Sequence, residues 1–306
     1  VLSLFLPVVK IRRSFKRREE VKALRQYSKQ KTTVAPIALG AMAIVKNESQ
    51  YIREWIEYHR LIGVEKFYIF DNESTDGLKK KLADYIDDGL VVYTFCPGKG
   101  MQEKAYLQGI KMARDDVQWM LTLDIDEFLQ PIGTVSLTNW LKKLPDKISQ
   151  VEFGWTIFGS NGHIEKPQGL VIENYTAHAE YDFLADYKPV VRPERVLDMF
   201  FPHEYEVVGE TVNDKLQKLW SYPISHGRGA RPAPRQNFRV NHYYSKSQEE
   251  FAEKSARGDA SVPNRRPRNL SDFREHDRNE VRDDSMLKYA KLIYQNRRKG
   301  KKDENG

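Results

Sequence analysis

The chain has 306 residues, 40% of them hydrophobic and 11% aromatic, enough to bury one large core and hence one domain with appendages. Its single cysteine, Cys96, excludes a disulfide scaffold and a cysteine-rich zinc site. Of the net charge of +7, residues 1–31 carry +8 and residues 263–306 carry +5, leaving residues 32–262 at −6, which argues against a nucleic-acid groove across that body.

In chain order, VLSLFLPVV is apolar for only nine residues, too short to span a bilayer, and without a preceding basic region it makes a poor signal peptide. KIRRSFKRREEVKALRQYSKQK reads equally as a basic amphipathic helix on an anionic membrane surface and as a solvated helix or arm. The expected location is cytoplasmic, with peripheral attachment to the inner face of the membrane as the variant the basic arm allows. The organisation expected is a basic N-terminal extension (1–31), a body (32–262) and a basic C-terminal extension, helical or partly disordered (263–306), whose tail NRRKGKKDENG has a disordered composition.

The body opens with strand–helix alternation. Ile37 to Val45 is a short apolar run suited to a buried strand, and Asn47 with Gln50 resembles a capping box before a helix in which Ile52, Trp55, Ile56, His59 and Ile62 recur at helical spacing. On that apolar face His59 reads as a core residue. Gly63 stops the helix, Lys66 to Phe70 reads as a second strand, and Leu78, Leu82, Tyr85 and Ile86 as the buried face of a second helix closed by Gly89. Leu90 to Phe95 gives a third strand, Gln102 to Arg114 a third helix and Gln118 to Ile125 a fourth strand. The fold class predicted is α/β, with a mostly parallel sheet and right-handed crossovers. Beyond it the pattern loosens into an irregular half: a strand over Gln150 to Phe158, a tight turn in FGSNGH, cations beside prolines at Lys188-Pro189 and Arg192-Pro193, and a strand-to-helix passage at NHYYSKSQEEF with Ser247 and Glu250 as a capping box.

The chemistry concentrates in WMLTLDIDEF. Read as a strand, it puts Trp119, Leu121, Leu123 and Ile125 on one face and Thr122, Asp124 and Asp126 on the other, so two carboxylates share the carboxyl end of the strand. Mg²⁺ or Mn²⁺ that also holds substrate phosphates takes one or two carboxylates and leaves its other positions open; a solvated acidic turn is the plainer reading of the same motif. Ligands of open α/β sheets bind beyond the carboxyl ends of the strands. That edge receives Lys46, Asn47 and Glu48 from strand one, Asp71 and Asn72 from strand two, and Asp124, Asp126 and Glu127 from strand four. The turn Gly98–Gly100 and Gln102 adjoin it as modest candidates. There is no GxGxxG after strand one and no Walker loop, and Cys96 reads as a strand-end residue rather than a nucleophile.

Five motifs, IVKNESQYIREWIEYHRLIGVEKFYIFDNESTDG, WMLTLDIDEF, FGSNGH, KPVVRP and NHYYSKSQEEF, follow one another between about Ala38 and Gly258. Together they resemble the glycosyltransferase family 2 superfamily of GT-A fold, particularly its bacterial branch related to family 92. The resemblance implies a GT-A-like domain over 32–262 and a hexosyltransferase type of enzyme, acting in polysaccharide biosynthesis. Such an enzyme moves a sugar from a nucleotide-sugar, of UDP type, to a glycan, a lipid-linked glycan or another hydroxyl acceptor, with inversion. It implies Asp124 and Asp126 as the pair for metal (Mn²⁺ or Mg²⁺) and diphosphate, and Asp71 near the nucleoside. It also raises His242 as a metal or diphosphate contact, beside Lys246 and a helix start suited to a diphosphate leaving group. His203 is a weaker candidate. Lys46, Asn47, Glu48, Asn72, Gln102 and Lys188 complete the expected nucleotide-sugar set. Trp155 and Phe158 read either as a sugar platform or as core. An inverting displacement needs a carboxylate base, for which Glu165, Glu173, Asp182 and Asp186 are equally placed. A sugar-phosphate nucleotidyltransferase is the alternative enzyme, although LGAMAIVKNE is not its glycine- and lysine-rich loop; a nonenzymatic membrane- or polyanion-binding protein would rest on the basic ends.

Overall fold

The computed structural model describes residues 18–27, 34–180, 183, 186–219, 234–257 and 268–303. Helix α1 covers residues 18–27. The first half then runs β1 (Ile37–Val45), α2 (Ile52–Leu61), β2 (Lys66–Asp71), α3 (Leu78–Lys81), α4 (Ala83–Asp87), β3 (Val91–Phe95), α5 (Gln102–Ala113) and β4 (Val117–Thr122). The second half runs β5 (Glu127–Pro131), α6 (Leu137–Lys142), β6 (Ile148–Ile157), α7 (Val171–Asn174), β7 (Ala177–His178), β8 (Tyr187–Val191), β9 (Val196–Phe201), β10 (Glu204–Val207), β11 (Glu210–Asn213) and β12 (Lys218–Leu219). It ends with β13 (Phe238–His242), α8 (Gln248–Arg257), α9 (Leu270–His276), β14 (Val281–Arg282) and α10 (Leu287–Asp303).

The main sheet has the order β12-β11-β6-β8-β4-β1-β2-β3, and β1 is parallel to both β2 and β4, as β2 is to β3. The α/β class with a mostly parallel central sheet is therefore the one observed. β8 enters antiparallel between β4 and β6, and β13 lies parallel to β6 and antiparallel to β5. Both faces of β1, β2 and β4 are largely buried, as crossover helices require, while the edge strand β3 is only partly covered. Leu39, Ala41, Ala43 and Val45 of β1 join Trp119, Leu121, Leu123 and Ile125 and the helix α2 in one core, while Met42 and Ile44 join Phe70, Met120 and α5 in the other. In α5, Gly109 lets the helix lie against the sheet, since a Cβ there would come 2.7 Å from Met42 Sδ.

Helix α2 does more than cover the sheet. Trp55 Nε1 donates to the Glu127 carbonyl at 3.0 Å, the Tyr58 hydroxyl donates to the Leu129 carbonyl at 2.9 Å, and the Leu129 N–H points to His59 Nε2 at 3.4 Å. Large aromatic side chains thus supply burial and, at their polar tips, hold β5 in place. His59 is fully buried, with Nδ1 2.8 Å from the Trp55 carbonyl, and burial pushes its pKa down to about 3, as befits a core residue.

The structure departs from several sequence expectations. The fourth strand ends at Thr122, so Asp124 and Asp126 do not share a strand face; they stand in a turn closed by the Glu127 N–H on the Asp124 carbonyl at 3.0 Å. Asn47 does not cap α2. It has a φ of 52° and its side chain accepts from the Thr75 N–H at 2.7 Å, tying the β1 loop to the β2 loop, while the residue before α2 is Tyr51. The single helix expected over Leu78 to Ile86 is broken at Leu82 into α3 and α4. In the C-terminal extension, expected to be helical or partly disordered, α10 runs to Asp303, and Met286, Ala290 and Ile293 at its foot belong to the larger core. At the other end, α1 docks through buried Leu24 and a Tyr27–Asp115 hydrogen bond, while VLSLFLPVV lies outside the described residues. Among the described residues no helix is long and apolar enough to cross a membrane.

Candidate active site

The carboxyl ends of β1, β2 and β3 are level, with Val45 beside Asp71 and Asp71 beside Phe95. β4 stops with Thr122 opposite Met42, and the chain beyond it folds over this edge as the Asp124–Glu127 turn. Glu127 closes the turn from below, its Oε2 accepting the Asp124 N–H at 2.9 Å. Lys188 is buried to 0% exposure because β8 runs antiparallel beside β4; its Nζ lies 2.8 Å from Asp124 Oδ2 and 3.3 Å from Glu127 Oε2. From α5, the Tyr106 hydroxyl at 3.1 Å and Gln102 Nε2 at 3.3 Å reach Asp124 Oδ1. Burial alone would raise the Asp124 carboxyl, but the adjacent Lys188 ammonium holds it below its usual range. For Glu127, burial outweighs Lys188 and pushes the carboxyl well up.

Asp126 is met from the other side. β13 sets His242 in register with Glu127, and His242 Nε2 comes 3.6 Å from Asp126 Oδ2. Lys254 of α8 pairs with the same oxygen at 2.6 Å. Burial, which would raise the Asp126 carboxyl, is overcome by Lys254 and His242, so it lies well below the usual carboxylate range. Burial pushes the His242 imidazole down, toward the neutral form that binds metals. The expected capping box is formed at the start of α8: Ser247 Oγ accepts the Glu250 N–H at 3.2 Å and Glu250 Oε2 accepts the Ser247 N–H at 3.1 Å. Glu250 also receives the Tyr51 and Tyr175 hydroxyls. That network fixes the passage in which Lys246, at a φ of 49°, sets its ammonium 4.5 Å from the Tyr51 ring centroid.

The remaining candidates separate by their partners. Glu48 pairs with Arg257 at 2.7 Å, is pushed up by burial, and is near enough to Asp126 and Lys246 to feel both charges. Lys46 is half-buried at the end of β1. Asp71 accepts the Ser74 N–H at 2.8 Å and the Tyr93 hydroxyl; Asn72 donates to the Cys96 and Gly98 carbonyls, both at 2.8 Å, and so anchors the glycine-containing turn. Of the four carboxylates considered as a base, Asp186 lies beside the cluster at the start of β8, where its Oδ1 is 2.8 Å from His203 Nδ1 and accepts the Tyr187 N–H. Burial would raise Asp186, yet the His203 contact and charge hold it below its usual range, while burial pushes His203 down. Glu173 instead caps α7 through the Leu170 N–H at 2.7 Å, Glu165 is exposed on a loop, and Asp182 lies outside the described residues. Trp155 is half-buried between His203 and His242, with centroids 5.1 and 4.4 Å away, whereas Phe158 is buried in the core.

Sequence reasoning passed over Lys254 and Arg257. The available signal was their spacing, which puts two cations on one face of α8 just beyond the capping box. Nothing local marked Tyr106, or showed that Asp186 and His203, each a candidate by itself, would pair.

Among the described residues, no group of three His, Cys, Asp or Glu side chains is placed to hold a metal ion. Two ligands can still suffice when phosphates and water supply the rest. The donor set fits: His242 Nδ1 and Glu127 Oε1 are both buried without a hydrogen-bond partner and stand 3.9 Å apart, while Nε2 faces Asp126. A carboxylate behind a histidine's second nitrogen is the usual outer support of a metal-ligating imidazole.

Comparisons with known proteins agree with the motifs. Plant relatives described as glycosyltransferase family 92 proteins include one from Oryza sativa subsp. japonica, 29% identical over 49% of this chain and 26% of that protein, and one from Arabidopsis thaliana, 26% identical over 54% and 30% respectively. The chain thus spans under a third of the length of the relatives it matches. Similar solved structures include S. aureus TarS 1–349 in complex with UDP (15% identity, TM-score 0.34, 51% of this chain and 46% of that one). Another is glucosyl-3-phosphoglycerate synthase from Mycobacterium tuberculosis with Mn²⁺, UDP and glucosyl-3-phosphoglycerate (17%, 0.27, 38% and 43%). The model of glycosyltransferase family 92 matches residues 40–227, more than half of the chain and the strand–helix alternation from within β1 through the acidic turn, and this protein belongs to that family.

Proposed function

We propose that this protein is a metal-dependent glycosyltransferase that moves a sugar from a nucleotide-sugar of UDP type to a hydroxyl acceptor with inversion. The observation that carries the reading is the meeting of Asp126 and His242, 3.6 Å apart at the edge of the parallel sheet where α/β folds bind ligands. Asp126 and His242 would hold Mn²⁺ or Mg²⁺, which supplies Lewis-acid neutralisation of the charge that develops on the departing diphosphate. Asp124, clamped by Lys188, Tyr106 and Gln102, keeps the turn in place and adds its charge on the same side. Lys246 and the start of α8 favour the phosphates. Asp186 is the favoured base: it is ionised, His203 orients it, and its Oδ2 makes no hydrogen bond among the described residues. Trp155, between His203 and His242, offers a ring face to the sugar between base and leaving group. A glycan or lipid-linked glycan acceptor, and membrane contact through the basic N-terminus, belong to the same proposal.

The test is a thermal-shift screen of UDP-, GDP- and CDP-sugars with and without Mn²⁺, since a ligand that binds only the native state raises its melting temperature. A UDP-sugar should stabilise the chain in Mn²⁺ and lose that effect in excess chelator. Undiminished stabilisation in chelator would remove the metal from the reading, and no response to any nucleotide-sugar would remove the function.

A further inference from the structure

Two groups compete for Asp126 Oδ2. Lys254 Nζ is 2.6 Å away and His242 Nε2 is 3.6 Å away. The Lys254 ammonium has two further supports, both from Tyr244: the carbonyl accepts from it at 3.0 Å, and the ring centroid lies 4.0 Å from Nζ. Arg268 Nε donates to the Tyr244 hydroxyl at 3.1 Å, and both Arg268 and Lys246 act on Lys254 as neighbouring like charges. Lys254 and Lys246 thus act on Asp126 together, with Arg268 a further like charge beside Lys254 and Glu48 a second carboxylate near Lys246. Ammonium groups clustered at this edge suit a diphosphate, whose oxygens take charge-assisted hydrogen bonds from several cations at once.

We propose that Lys254 is a hand-over residue: without metal it occupies Asp126 in the cation's place, and metal binding releases its ammonium to the diphosphate of the nucleotide-sugar. This rests on the metal reading above. A divalent cation and an ammonium on one carboxylate oxygen are like charges in a small, largely buried space, so each weakens the other's hold. Lys254 can leave without stranding its charge, because the Tyr244 carbonyl and ring remain as a pivot for a flexible four-carbon stem. The site then stays closed to stray cations until metal and nucleotide arrive together.

The hand-over has a signature of opposite signs. Removing the ammonium removes a competitor of the metal but also a partner of the phosphates, whereas a lysine that only supports the fold would weaken both when lost. Mn²⁺ is titrated into the full chain, wild type and Lys254→Met, by the electron paramagnetic resonance of free Mn²⁺, without and with saturating UDP. UDP is titrated by calorimetry at saturating Mn²⁺. Lys254→Gln, which keeps a donor for the Tyr244 carbonyl without charge, runs in parallel in case the methionine variant does not fold. The expected result is at least fivefold tighter Mn²⁺ binding without nucleotide, together with at least tenfold weaker UDP binding. Mn²⁺ affinity that is unchanged or weaker in the folded variant overturns the hand-over and leaves the metal reading standing. Failure of the wild type to bind Mn²⁺ even with UDP overturns both.

Discussion

Replacing Lys188 by methionine tests the electrostatic construction of the site most directly. The side chain has no exposure, and its Nζ is shared between Asp124 at 2.8 Å and Glu127 at 3.3 Å. Methionine keeps most of the volume, so the perturbation is the loss of one buried charge from a cluster of carboxylates. Breaking a buried pair by removing one partner costs about 3–5 kcal/mol, because the remaining charge is left without compensation. At about 2.1 cal/mol/K of unfolding entropy per residue, each kcal/mol lowers the Tm of a 306-residue chain by about 1.6 °C, so a fall of about 5–8 °C is expected at neutral pH. The deficit should depend on pH with a definite sign. Deprived of the ammonium, Asp124 takes up a proton in the native state more readily than in the unfolded chain, as Glu127 already does with Lys188 present, so the stability of the variant falls more steeply as pH rises. Wild-type Asp124 is held below its usual range, a contribution present above the unfolded carboxylate pKa and lost only as pH falls through the depressed native value. The gap between wild type and Lys188→Met should therefore widen from pH 5 to pH 8. Calorimetric or fluorescence melts at three pH values measure it. A Tm within 2 °C of wild type across that range, or a gap that narrows with pH, would refute the view that Lys188 neutralises the acidic turn.

Asp126→Asn should lower turnover by at least a hundredfold while the purified variant keeps the wild-type circular dichroism spectrum; near-wild-type turnover would return DIDEF to a solvated turn. His242→Ala, assayed over a range of Mn²⁺, should raise the Mn²⁺ needed for half-maximal activity, and a lower Tm with unchanged kinetics would make His242 structural. Asp186→Asn should reduce kcat by two or more orders of magnitude with little change in KM for the nucleotide-sugar, since a base acts on the acceptor; an equal loss in Glu165→Gln would move the role elsewhere.

The architecture of the first half was legible because each element carries its own local signal. β1 was read at the residues it occupies, Gly63 and Gly89 do adopt positive φ after their helices, and Ser247 and Glu250 do form a capping box. The same logic exposed the sheet edge, because a strand in a parallel sheet stays apolar until it leaves the sheet and its polar residues then fall together. It misplaced the carboxylates themselves: period-2 alternation assumes that the strand continues, whereas Glu127 turns back on Asp124 and starts β5.

What the sequence determined by itself was the repeating α/β frame, the edge on which Lys46, Asp71 and Asp126 emerge, and a family pattern pointing to nucleotide-sugar chemistry. Only the tertiary structure decided which charges meet. Lys188 lies 64 residues from Asp124 and Lys254 lies 128 from Asp126 along the chain, and no local pattern couples residues so far apart. Their pairing follows from β8 entering antiparallel beside β4 and from β13 bringing His242 level with Glu127. Secondary structure reflects short-range periodicity, which a sequence displays; an active site depends on long-range register, which exists only once the sheet has closed.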